Sequence, residues 1–352
     1  MSKTSRADQA AASAAPAGVV AAAPALLEVA DLITHYPVRR SLAAVLTRRA
    51  RQWVHAVDGV SFSVARGEMV ALVGESGCGK TSTVQTILGM VAPTSGSIRL
   101  HGTEIAGMSH RRMRPLRRRV QMIYQDPYES LDPRFRVRQT VEEPLLVHKI
   151  GRSAADRRAR IVQALEQAGL APAELYLERY PHELSGGQRQ RVAIAASLAL
   201  GPDLLLADEP VSMLDVSVRA GVLALLDGLR RNVDMGILMI THDLSTAAHF
   251  ADRIAVMYLG RIVEHGAAAE VVRNPQHPYT KALLSVVPKR DPRDRAAPQI
   301  LTGETPNPIT VPSGCRFHPR CPVAVESCRS QDPQLRRTSS AAAGHLAACI
   351  LA

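Results

Sequence analysis

The chain has 352 residues, 46% hydrophobic but only 3% aromatic, so it can form one large domain with an appendage, or two domains, around a core mostly of Leu, Val, Ile and Ala. Lys and Arg number 43 against 32 Asp and Glu, a net charge of +11 that suits an anionic partner (nucleotide, nucleic acid or acidic lipid) and equally an Arg-rich solvated surface. No apolar run is long enough to span a bilayer: the most apolar stretch, VAIAASLALGPDLLLA, is broken by Gly201 and Pro202 and ends on acids.

Residues 1–25 are Ala-rich with scattered Pro and Gly, and Asp8, Ser13 and Pro16 interrupt any leader-like apolar run. This segment reads as a disordered tail, which places the protein in the cytoplasm, where disulfides are disfavoured. From Leu26 to about Val287, short β-rich runs alternate with longer helical stretches, the pattern of an α/β fold with a mainly parallel sheet. Early in this region lies a basic insertion, RRSLAAVLTRRARQW. It reads either as an amphipathic helix near acidic headgroups or as a solvated helix packed on the domain.

GEMVALVG is a buried strand and TSTVQTILGM a helix, and between them GESGCGKT (residues 74–81) fits G-x-x-x-x-G-K-[ST] in the strand–loop–helix context that motif requires. Its glycines let backbone N–H groups wrap a phosphate, and the helix N-terminus adds its dipole. Phosphate-binding candidates are therefore Gly74, Glu75, Ser76, Gly77, Cys78, Gly79, Lys80, Thr81 and the adjoining Ser82. Lys80 would bring a positive charge to the outer phosphates, and the Thr81 hydroxyl would ligate Mg²⁺. RRMRPLRRR (111–119) is the densest basic run; with no stacking aromatics nearby it gives no support to a nucleic-acid role, and it suits a surface facing membrane or partner. RVQMIYQ is the next strand. Residues 153–169 show helical spacing with a Ser cap and a Gly stop.

LLLADEP (204–210) is an apolar strand ending in acids, with Asp208 placed to hold Mg²⁺ and Glu209 to polarise an attacking water. GILMITHD is a further strand with a polar end. After Pro288 the composition shifts to a charged linker, KRDPRDRAAP, and then to a tail holding Cys315, Cys321, Cys328 and Cys349, four of the five cysteines in the chain. Their spacings are wider than the C-x₂₋₄-C knuckles usual for structural zinc, whereas four thiolates are what a 4Fe-4S cluster needs. Zinc with His318 or His345 as a further ligand, and a metal-free Cys-rich fold, stay open.

ELSGGQRQR (183–191), taken with the P-loop, resembles the signature sequence of ATP-binding cassette (ABC) ATPases. The resemblance implies a P-loop NTPase nucleotide-binding domain over residues 26–273, with a helical subdomain at about 126–190. It also implies ATP shared across a dimer, with Ser185, Gly186, Gly187 and Gln188 of one subunit closing over nucleotide on its partner's P-loop. A helix is expected just beyond those residues. By the same resemblance Gln125 is the Q-loop glutamine reaching Mg²⁺ and water, Asp215 the D-loop aspartate, His242 the switch histidine at the γ-phosphate, and Tyr36 the ring stacked on adenine. Lys80, Gln125, Glu209 and His242 would carry the catalysis.

QDPYESLDPR (125–134), NPQHPYTKALL (274–284) and CRFHPRCP are similar to the oligopeptide/dipeptide importer branch, whose C-terminal extension would be residues 274–352. Some members of that branch are thought to carry a 4Fe-4S cluster there. The branch implies a related ATPase subunit as partner, with a homodimer as second choice. It also implies two membrane permease subunits, an external substrate-binding protein, and a peripheral position on the cytoplasmic face of the membrane. Importers of nickel chelates or oligosaccharides, and accessory ATPases of a phosphonate carbon–phosphorus lyase type, are the alternatives.

Overall fold

The computed structural model describes residues 25–38, 40, 50–287, 299, 301, 303–338 and 344–352. The tail expected at 1–25 (except residue 25), most of the basic insertion and the linker KRDPRDRAAP lie outside the described residues. β1 (Leu27–Pro37) and β2 (Trp53–Val64) pair antiparallel. β4 (Ser95–Leu100) pairs with the other edge of β1, and β5 (Thr103–Glu104) with β4. The resulting antiparallel sheet, in the order β2-β1-β4-β5, is additional to the mainly parallel sheet expected from the sequence. Its long strands are only half buried, and β1 is broken by register shifts, so they carry no clean alternation.

The larger sheet contains β3 (Met69–Val73), β6 (Val120–Ile123), β7 (Leu204–Asp208), β8 (Gly236–Thr241), β9 (Arg253–Tyr258), β10 (Arg261–Ala267), β11 (Arg336–Arg337) and β12 (Leu346–Ala347). Their order is β11-β12-β10-β9-β3-β8-β7-β6, and the five strands from β9 to β6 are parallel. β3, β7 and β8 are buried along their whole length, as strands covered on both faces must be. Strand alternation then divides their side chains between two cores. Met69, Ala71, Val73, Leu205, Ala207, Ile237 and Met239 join one, while Val70, Leu72, Leu204, Leu206, Leu238 and Ile240 join the other, which the antiparallel sheet closes.

The helices are α1 (Lys80–Ile87), α2 (His110–Arg117), α3 (Pro127–Ser130), α4 (Val137–Val147), α5 (Ala154–Gln167), α6 (Gly186–Leu198), α7 (Val216–Val233), α8 (Leu244–Phe250), α9 (Ala268–Arg273) and α10 (Pro278–Ser285). The helices α3 to α6 form an arm whose apolar face, including Val137, Val141, Leu145, Ile161, Leu165 and Val192, belongs to the first core. α5 starts where its Ser cap was read: Ser153 Oγ accepts a hydrogen bond from the Asp156 N–H at 3.1 Å, and Gly169 beyond it takes φ +75°. Much of the basic run is spent on backbone carbonyls: Arg117 donates to Leu88 and Gly89, Arg118 to Leu200, Arg114 to Val147, and Arg119 pairs with Asp203.

The segment from residue 274 adds strands to the larger sheet. β12 pairs with β10, and β11 with β12. The fully buried Glu264 of β10 draws both ends of this segment together: its carboxylate accepts from the Gln276 N–H (2.7 Å) and the His277 N–H (2.9 Å), and His345 Nε2 lies 2.7 Å away. Tyr258, Tyr279 and Phe317, all fully buried, stack with centroids 4.8–5.4 Å apart, so this seam is aromatic in a chain otherwise poor in rings.

Candidate functional site

Parallel strands deliver the residues that follow them to one edge of the sheet, and in open α/β sheets that carboxyl edge is where ligands bind. Register places Val73 beside Thr241, Asp208 beside Ile240 and Ile123 beside Ala207, so the segments leaving β3, β8, β7 and β6 emerge together. They carry the P-loop, His242, Asp208 with Glu209, and Gln125, respectively.

The P-loop turns tightly between β3 and α1. Gly79 takes φ +110°, and a Cβ there would stand 2.0 Å from the Ala56 carbonyl oxygen, so no other residue fits. Lys80, nearly buried, folds back so that Nζ donates to the carbonyls of Gly74 (2.7 Å) and Glu75 (3.0 Å). Thr81 Oγ1 donates to Asp208 Oδ1 at 3.4 Å. Burial raises the Asp208 carboxyl above its ordinary range, the Thr81 hydrogen bond and Lys80 work against that, and the neighbouring Glu209 works with it. A buried carboxylate facing a hydroxyl is a hard-oxygen donor set that fits Mg²⁺. Cys78 is buried beneath the loop, and burial raises its thiol, so it is a packing residue rather than a nucleophile.

Glu209 sits at φ +45°, which turns its side chain out of the strand line. Gln125 Nε2 donates to its Oε2 at 3.2 Å, and His242 Nδ1 lies 3.2 Å from its Oε1. Three residues from three strand ends therefore meet at one carboxylate, which is held on both sides.

Ser185 caps α6, and the helix begins within the LSGGQ stretch, at Gly186, rather than beyond it. The cause is a capping box: Ser185 Oγ accepts from the Gln188 N–H at 3.3 Å, and Gln188 Oε1 accepts from the Ser185 N–H at 3.0 Å. Among the described residues no hydrogen bond or ion pair joins residues 185–188 to the P-loop. Asp215, exposed, precedes α7, and Tyr36 is half-buried on β1 opposite Val54. Beside the arm, an open cleft of about 630 Å³ is lined by Tyr128, Leu131, Arg134, Phe135, Thr140 and Glu143.

The four cysteines of the extension are free, and burial pushes the Cys315 thiol up to about 11, with Cys328, Cys349 and Cys321 near enough to add to it. Among the described residues no three of their sulfurs lie within 4.8 Å of one another. Tetrahedral zinc with bonds of about 2.3 Å would need thiolates about 3.8 Å apart, so the spacing is too open for a closed zinc site. The group that does meet the spacing is His35, His55 and Asp58, but Arg316 already pairs with that aspartate.

Sequence reading missed three residues at this edge. Tyr279 accepts a hydrogen bond from the Glu75 N–H at 2.9 Å, and Thr305 and Arg320 donate to the Glu75 carboxylate. Nothing local in the sequence signals these contacts, since Arg320 stands 245 positions from Glu75.

Residues 57–212 match the family model described as ABC transporter, and residues 263–328 match that of the oligopeptide/dipeptide transporter C-terminal region. The dipeptide transport ATP-binding protein DppF of Haemophilus influenzae is 46% identical over 92% of this chain and 96% of its own. The oligopeptide transport ATP-binding protein AppF of Bacillus subtilis is 42% identical over 93% and 97%. Among solved structures, an ATP-binding cassette seen as a dimer in a post-hydrolysis state with ADP and phosphate matches at TM-score 0.59 and 26% identity, covering 69% of this chain and 98% of that one. CbiO1 of Clostridium perfringens matches at TM-score 0.61 and 27% identity, covering 71% and 92%.

Proposed function

The chain belongs to the ABC transporter ATPases of the oligopeptide/dipeptide importer type, and from that premise we propose that it is the ATP-hydrolysing subunit of a peptide importer and that the sheet edge described above is its motor. The observation that carries the proposal is the convergence of Gln125 and His242 on the Glu209 carboxylate beside the Lys80 loop. Glu209 is the base that polarises water, Gln125 and His242 orient it, and Lys80 holds the outer phosphates. Thr81, Asp208 and Gln125 would hold Mg²⁺, which would supply charge neutralisation at those phosphates. Ser185, Gly186, Gly187, Gln188 and Asp215 lie apart from this edge in the chain's own hydrogen bonding among the described residues, as groups that serve a second subunit's nucleotide should. That partner is a related ATPase, with a second copy of this chain as the alternative.

Among the described residues no helix is long and apolar enough to cross a membrane. Permease subunits supply the channel, and a substrate-binding protein delivers peptide to them. The cleft beside the arm, with Tyr128 and Phe135 exposed next to the Gln125 loop, is the seat for a permease, in keeping with a peripheral position on the cytoplasmic face of the membrane. Cys315, Cys321, Cys328 and Cys349 would hold a 4Fe-4S cluster, which would cross-link the extension.

Assembly with the permease and binding protein tests the reading. Dipeptide or oligopeptide should stimulate ATP hydrolysis, and a complex indifferent to every peptide would refute peptide import. Iron and sulfide in anaerobically purified protein, lost on joint Cys321→Ser and Cys328→Ser substitution, are the expected signs of the cluster; protein without iron removes it from the account.

A further inference from the structure

The second residue of the P-loop is an acid, and an acid beside a phosphate site is an electrostatic liability. Glu75 supplies one of the two carbonyls that hold Lys80, so its backbone is part of the cradle. Its carboxylate, left to itself, would cancel the Lys80 charge that draws phosphate. In this structure it is not left to itself. Arg320 grips it bidentately, Nη1 to Oε2 at 2.7 Å and Nη2 to Oε1 at 3.1 Å, and Thr305 Oγ1 donates to Oε2 at 3.0 Å. The Arg320 side chain is only 9% exposed and that of Glu75 29%, so the pair is partly shielded from salt and water. Burial alone would raise the Glu75 carboxyl, but the bonds from Arg320 and Thr305 outweigh it and keep it ionised. Tyr279 fixes the same residue's N–H. Three residues of the segment after 274 thus hold one residue of the P-loop.

We infer that Arg320 is a positioning residue of the nucleotide site: it neutralises and turns aside the Glu75 carboxylate, so that the loop presents net positive charge to the phosphates. The inference rests on ATP being the ligand of residues 74–81. A mere staple for the extension would use the same ion pair, and the two roles separate in kinetics.

ATP dependence of hydrolysis is measured for the chain assembled with its permease subunits, and ATP affinity for the chain alone with a fluorescent ATP analogue. Arg320→Ala should raise KM for ATP about tenfold, the order expected of one uncompensated charge near a partly buried anion site, with kcat within about twofold. Joining Glu75→Gln to it should bring KM back to within about threefold of the parent, since the offending charge is gone. Arg320→Lys, which keeps the charge and loses the fork, should fall between parent and Arg320→Ala. Glu75→Gln alone keeps the backbone carbonyl that holds Lys80 and should lower KM for ATP about two- to threefold, since it removes a negative charge beside the phosphates. The inference is overturned if the double variant stays as impaired as Arg320→Ala, or if Glu75→Gln alone raises KM tenfold. Should Arg320→Ala not fold, the Glu75→Gln and Arg320→Lys results still decide. A parent chain that binds no ATP refutes the ATPase reading itself, whereas a parent that binds ATP without suppression in the double variant refutes only the role of Arg320.

Discussion

The nucleotide edge and the seam that docks the C-terminal segment are built on opposite plans. At the edge, parallel strands of the larger sheet bring side chains to one place, and those side chains are joined by few hydrogen bonds: Glu209 touches Gln125 and His242, Thr81 touches Asp208. At the seam, the buried charges of Glu264 and Arg316 are paired beside an aromatic cluster, while Tyr258 OH, Thr280 Oγ1 and His345 Nδ1 are buried there without a partner among the described residues. The edge has to accept a ligand and so leaves donors and acceptors under-used. Apart from the residues that reach Glu75, the seam has only to stay shut. Function is expected to be sensitive at the first and stability at the second.

Four substitutions or conditions test that division, in order of expected effect. Glu209→Gln should lower ATP hydrolysis at least about 100-fold, followed by phosphate release, while nucleotide binding persists and unfolding shifts by less than about 0.5 kcal/mol. Equal losses of both would erase the contrast. Glu264→Gln should do the reverse. It turns an acceptor into a donor facing backbone N–H groups, at a cost of about 3 kcal/mol in denaturant unfolding, with kcat of the folded protein within about twofold.

The third test is pH. Burial, reinforced by Lys281, depresses His277 from 6.5 to about 3, and its Nδ1 accepts from the Tyr279 N–H. The folded protein keeps this ring neutral, whereas the unfolded chain protonates it near 6.5. Its contribution is therefore complete above pH 6.5 and drains away as pH falls toward 3, about 2 kcal/mol between pH 7 and 5. His277→Asn, which can still cap α10, should flatten the melting temperature over that range; an unaltered slope assigns the acid sensitivity elsewhere. Smallest is a matched pair of caps. Ser153→Ala and Ser185→Ala should each cost about 1 kcal/mol of stability. Only the second should reduce turnover, and a loss of turnover in the first would show that the arm transmits stability into chemistry.

The edge was legible in the sequence because each of its parts is a contiguous stretch: an apolar strand followed by polar residues, in the order GESGCGKT, MIYQ, LLLADEP, ITHD. Strand register does the rest. The antiparallel sheet was not legible, because β1 and β2 are half exposed and β1 shifts register along its length. α6 starts earlier than expected, at Gly186, because Ser185 and Gln188 cap each other across the two glycines. The seam was illegible for another reason. Arg316 meets Asp58 across 258 positions and His345 meets Glu264 across 81, and no local pattern announces a partner so distant. CRFHPRCP draws attention to its cysteines, yet its two arginines make the polar contacts with the cassette and Phe317 packs on Tyr258.

The Glu264–His345 contact also bears on how the protein is made. A ribosome delivers β10 long before β12, with 81 residues between the two contacting side chains. At about 5–20 residues per second, that is roughly 4–16 s in which the nascent sheet has an open edge and a carboxylate without its imidazole. During that interval the emerging chain is a natural client for a chaperone, and arrest of translation before residue 344 would release a product with a sticky flank.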